Sequence, residues 1–85
     1  MDEELKKLRK EIDRIDAEIL SLLEERVETA RKIGAVKKEK GLPVSDPQRE
    51  KEVITNAAKN SKLDKDYTKK LFNSIMEYCK DEEKK

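Results

Sequence analysis

Histidine is absent from this 85-residue chain. With it go the commonest neutral-pH acid–base group and the commonest metal ligand. Cysteine is nearly absent too: Cys79 stands alone. No intrachain disulfide can form, which fits a reducing compartment, the cytoplasm. A zinc site is not expected on the same count, and nucleophilic triads are excluded. No run approaches the roughly 18 apolar residues of a membrane span. The start, "MDEELKK", lacks the apolar core of a signal peptide. Aromatic residues make up 4% of the chain, and glycine and proline occur twice each. An excess of one charge is missing as well, with 21 Lys and Arg against 20 Asp and Glu. No net field therefore draws the chain to nucleic acid or to an anionic membrane. An enzyme built this way works with Arg, Lys, Asp, Glu and water, with no metal or cofactor expected.

What remains is helix-forming sequence. Charged residues reach 48%, their signs alternate along the chain, and this reads as solvated helix faces. Apolar residues fall at Leu5, Leu8, Ile12, Ile15, Ile19 and Leu22, in steps of three and four. The pattern predicts a first helix over about 3–40, roughly 57 Å long at 1.5 Å per residue. A compact chain of this size has a radius of gyration of about 12 Å, so the rest of the chain cannot cover that helix. A second copy is required. Gly41 and Pro43 end the helix. Asp46 as N-cap and Pro47 at N1 open a second helix over about 47–60. Asp64 caps a third over about 65–82, on which Leu71, Phe72, Ile75, Met76 and Cys79 form a stripe and Tyr67 opens it. The tail "DEEKK" reads as frayed. The expected architecture is all-α, one domain over residues 1–85, with long, short and medium helices.

Some residues break this pattern. Continuing the apolar count places Arg26 and Thr29 on the seam of the first helix. A lone seam arginine can snorkel or pair with a glutamate. Lys37, however, lies eleven residues on, about three whole turns, so both cations share one face about 16 Å apart. Such a pair can close on one small anion. Thr29 and Ile33 lie between them, with small Ala30 and Gly34 alongside leaving room for a ligand. Arg49 sits in the first turn of the second helix, where the dipole disfavours a cation. It is either a solvated surface residue or another clamp beside Asp46 and Glu50. Arg9 lies about 42 Å from Lys37 along the helix, so it can serve the same site only from a partner chain packed antiparallel. Glu83 continues the Phe72–Met76–Cys79 line. It is either an exposed tail residue or, if buried beside a ligand, a neutral hydrogen-bond donor.

The segments "LRKEIDRIDAEILSLLEER", "GAVKKEKGLPVSDPQRE" and "LDKDYTKKLF" together resemble the all-helical AroQ-class chorismate mutases. The resemblance covers most of the chain, in order. It implies an intertwined homodimer of three-helix chains that converts chorismate to prephenate by an intramolecular Claisen rearrangement, without cofactor. It implies that Arg26 and the partner copy's Arg9 bind substrate carboxylates. Lys37 would serve the ether oxygen and one carboxylate, Asp46 and Glu50 the ring hydroxyl, and Arg49 the substrate's orientation. Cys79 stands where relatives often carry a small polar residue touching a carboxylate. Glu83 stands where many prokaryotic members carry glutamine and fungal ones glutamate, the second donor to the ether oxygen. A glutamate there must be protonated to donate, so activity is expected to rise as pH falls.

Two other readings fit the same residues. One is an isochorismate–pyruvate lyase of the same fold, for which a similar cationic pocket suffices. The other is a non-catalytic helical dimerisation module, in which Arg26, Lys37 and Arg49 tolerate neutral replacements.

Overall fold

Asp2 accepts hydrogen bonds from the Glu4 and Leu5 amides and opens helix α1, Glu3–Lys40, which runs 38 residues without a break. In the computed structural model, which describes residues 2–85, it is followed by α2 (Pro47–Asn60) and α3 (Lys65–Glu83). The order is long, short, medium, with no strand among the described residues.

Local chemistry sets the boundaries. Gly41 adopts φ 69° and ψ 29°, the left-handed cap that a side chain would resist, and its amide turns back to the last carbonyls of α1. The Asp46 carboxylate accepts the Arg49 amide at 3.1 Å, and Pro47 needs no partner in the first turn of α2. The Asp64 carboxylate accepts the Tyr67 amide at 2.9 Å and starts α3. The frayed end expected after residue 80 is not found: α3 stays helical through Glu83, and Glu82 is buried.

Packing is confined to one end of α1. Helix α3 packs against both α1 and α2; Thr68, Met76 and Cys79 on α3, Ala30 on α1 and Ala58 on α2 are buried. No side chain among the described residues is fully buried. The first half of α1 projects beyond this core, giving extents of 59 × 25 × 15 Å and a radius of gyration of 16.6 Å. Leu8, Ile12, Ile19 and Leu22 are therefore 58%, 55%, 50% and 65% exposed. A shallow groove lined by Leu20, Leu23, Val27, Ile75 and Tyr78 continues that apolar face onto α3. No helix among the described residues is long and apolar enough to cross a membrane.

Candidate active site

Successive helical residues turn by about 100°, which brings Arg26, Thr29, Ile33 and Lys37 to neighbouring rows on α1. Opposite them stand the start of α2 and the end of α3. The space between is a cavity of about 470 Å³ lined by Arg26, Thr29, Ala30, Ile33, Lys37, Val44, Asp46, Arg49, Glu50, Val53, Met76, Cys79, Lys80 and Glu83. That volume suits a small metabolite.

The polar groups converge in pairs. Lys37 Nζ donates to the Val44 carbonyl at 2.8 Å and to Glu83 Oε1 at 2.7 Å. Both partners of that ion pair are largely shielded, their side chains 19% and 11% exposed. Arg26 Nη1 donates to the Cys79 sulfur at 2.9 Å, and the buried thiol thereby holds the guanidinium at the cavity wall. Asp46 spends its carboxylate on capping α2, while its amide donates to Glu50 Oε2 at 3.3 Å. Glu50 Oε1 in turn accepts from Lys80 Nζ, also at 3.3 Å. That hydrogen bond from Lys80 to Glu50 is the main cause holding the ammonium above its ordinary pKa, against the opposing effect of desolvation. Arg49 reaches Glu52 at 3.3 Å from an exposed position.

The structure thus brings Arg26, Lys37, Asp46, Arg49, Glu50, Cys79 and Glu83 to one cavity. Arg9 is not among the lining residues: it stands exposed on the projecting half of α1, about 25 Å from Arg26 along the helix. The room expected beside Gly34 is taken by protein, because the Glu83 backbone lies against it. Sequence reasoning missed Lys80 and the Val44 carbonyl. Lys80 follows Cys79 directly and pairs with a residue 30 positions away, a contact no local pattern reveals.

The chemistry open to such a site is recognition of a small anion by guanidinium and ammonium groups, with carboxylates set to accept from a hydroxyl. A family model described as chorismate mutase type II matches residues 8–84. The chain belongs to the type II chorismate mutases. These are isomerases of aromatic amino acid biosynthesis. A chorismate mutase from Methanocaldococcus jannaschii is 36% identical over 83 residues, 94% of this chain and 84% of that protein. A bifunctional chorismate mutase/prephenate dehydratase from Aquifex aeolicus is 58% identical over 52 residues, covering 61% of this chain and 14% of the longer protein. The solved structure of a chorismate mutase (form II) from Thermus thermophilus superposes with a TM-score of 0.91 at 37% identity, over 98% of both chains. All-helical architecture is thus common to this mutase chain and a solved mutase.

Proposed function

We propose that this chorismate mutase acts as a homodimer in which each site combines the cavity of one chain with Arg9 of the other. The carrying observation is that Arg26, Lys37 and Arg49 line one cavity of about 470 Å³ together with Glu83. Chorismate carries two carboxylates, and its rearrangement to prephenate breaks a C–O bond as a C–C bond forms within the same molecule. No proton or covalent intermediate is needed. Two tasks are left to the protein. One is to hold the flexible substrate in its reactive conformer, which an array of fixed cations does by gripping both carboxylates. The other is to stabilise negative charge growing on the ether oxygen.

Arg26 and the second copy's Arg9 bind carboxylates. Lys37 leaves Glu83 to bind one carboxylate and the ether oxygen. Glu50 and the backbone at Asp46 meet the ring hydroxyl, and Arg49 orients the ring from the start of α2. Cys79 holds Arg26 in place and lies at the edge of the substrate. Glu83 donates to the ether oxygen when it carries a proton. In the structure its carboxylate accepts from Lys37, so substrate binding exchanges partners on both groups. The uncovered stripe from Leu5 to Leu22 supports the dimer, since covering these half-exposed side chains gains roughly half of the 1.5–3 kcal/mol that full burial of each is worth. The free, buried thiol of Cys79 suits the reducing cytoplasm.

The test is chorismate consumption followed by ultraviolet absorbance at about pH 5 and pH 7.5, with product identity read by chromatography. Wild type should yield prephenate, and Lys37→Ala should lose it while staying folded. A folded protein that leaves chorismate untouched overturns the proposal, and isochorismate is then the next substrate to offer.

A further inference from the structure

The end of α3 crosses α1 over three residues spaced by three: Arg31, Gly34 and Lys37. Each takes a different part of two consecutive residues. The Glu82 carboxylate accepts Arg31 Nε at 2.9 Å and Nη2 at 2.5 Å. The Glu83 backbone lies on Gly34, so close that no Cβ fits there. The Glu83 carboxylate reaches Lys37 at 2.7 Å. Lys85 closes over the other side of Glu82, with its Nζ 2.6 Å from Oε2.

We propose that the Arg31–Glu82 ion pair is a positioning clamp that holds the Glu83 side chain in the catalytic cavity. The inference rests on the functional reading above, but its logic is geometric. Consecutive helical side chains diverge by about 100°, so Glu82 and Glu83 point to either side of the Gly34 contact. Any roll of α3 that lifts Glu83 from the cavity also pulls Glu82 off Arg31. That roll is costly, because Glu82 is only 4% exposed and would lose the two-nitrogen grip of Arg31, leaving Lys85 alone on its carboxylate. Arg31 itself is 59% exposed at the side chain and lies outside the cavity lining. Neither residue touches substrate. Both act through Glu83.

Four proteins test this: wild type, Arg31→Met, Glu83→Ala and the double variant, each checked for helicity and oligomeric state. Arg31 is the residue to change because its exposure spares the fold, with Glu82→Gln as the second route. Arg31→Met should lower kcat about tenfold with KM little altered, as expected for a misplaced group. In the Glu83→Ala background the same change should cost less than about twofold, since the group it positions is gone. Arg31→Lys should restore part of the loss. Equal fold-losses in both backgrounds, or none in wild type, overturn the clamp. An inactive wild type would instead sink the functional reading, and melting temperatures then decide the clamp without turnover. Glu83→Ala should lower the melting temperature in wild type and scarcely at all beside Arg31→Met; equal decrements overturn it.

Discussion

A methyl group at Gly34 would stand 2.7 Å from the Cα of Glu83 and 2.9 Å from its carbonyl carbon. Both are backbone atoms, which cannot swing aside as a flexible side chain does. Alanine at this position would add about 1 kcal/mol of helix propensity, yet the overlap forces α3 away from α1. Gly34→Ala should therefore lower both the melting temperature and kcat, the latter about tenfold or more. Steady-state kinetics beside a thermal melt decide it. A more stable protein with unaltered kcat would show that the helices have room to spare.

Lys37 donates to two groups at once, the Val44 carbonyl and Glu83, and in the proposed mechanism it turns to the ether oxygen. Lys37→Ala should cost about 10²–10³ in kcat/KM, the range found for loss of one oxyanion donor. A loss of less than about threefold would remove Lys37 from the reacting centre.

Glutamine donates an N–H at any pH, whereas a carboxyl donates only when protonated. Glu83→Gln should therefore match or exceed the wild-type kcat at about pH 7.5. A Glu83→Gln protein far slower than wild type at that pH would take Glu83 out of the donor role.

Glu82 answers to acid in the opposite way. Hydrogen bonds from Lys85 and then Arg31 hold its carboxyl below the usual carboxylate pKa, against desolvation. A group lowered in the folded state stabilises fully above its unfolded pKa, about 4.3 for glutamate. That stabilisation is lost as pH falls through the lower folded value. Melting temperatures should thus drop more steeply below about pH 4 for wild type than for Glu82→Gln, which carries no titrating carboxyl there. Coincident curves would count against the pairing.

Arg9→Ala and Lys37→Ala should each be nearly inactive alone. Mixed, unfolded and refolded together, they should regain about one quarter of wild-type activity, since half the dimers are mixed and each has one unaltered site. No recovery from a mixture shown to contain mixed dimers would mean that Arg9 serves its own chain or none.

The features legible in the sequence were those written locally. Asp46, Asp64 and Gly41 cap their helices through contacts within a few residues, and helical arithmetic alone put Arg26 and Lys37 on one face. What stayed hidden needed the crossing of α3 over α1. Glu82 lies in a run of charges that reads as a solvated tail, and its partner Arg31 is 51 positions away. Gly34 reads as room for a ligand until the backbone resting on it is known. Lys80 is one lysine among many until Glu50 stands opposite. Charge-rich sequence is least readable here because nearly every residue has the type a surface needs, so burial leaves no mark on composition.

The unaccompanied half of α1 has a consequence for how the chain lives before it is finished. From Leu5 to Leu22 it offers a continuous row of apolar side chains to whatever it meets first, and exposed patches of that kind are aggregation hazards. In the proposed homodimer this row is buried, so dilution would act as a denaturant and abundance as a stabiliser. A heat-denaturation midpoint quoted without a protein concentration would describe the sample, and the level of synthesis in the cell becomes part of the folding reaction itself.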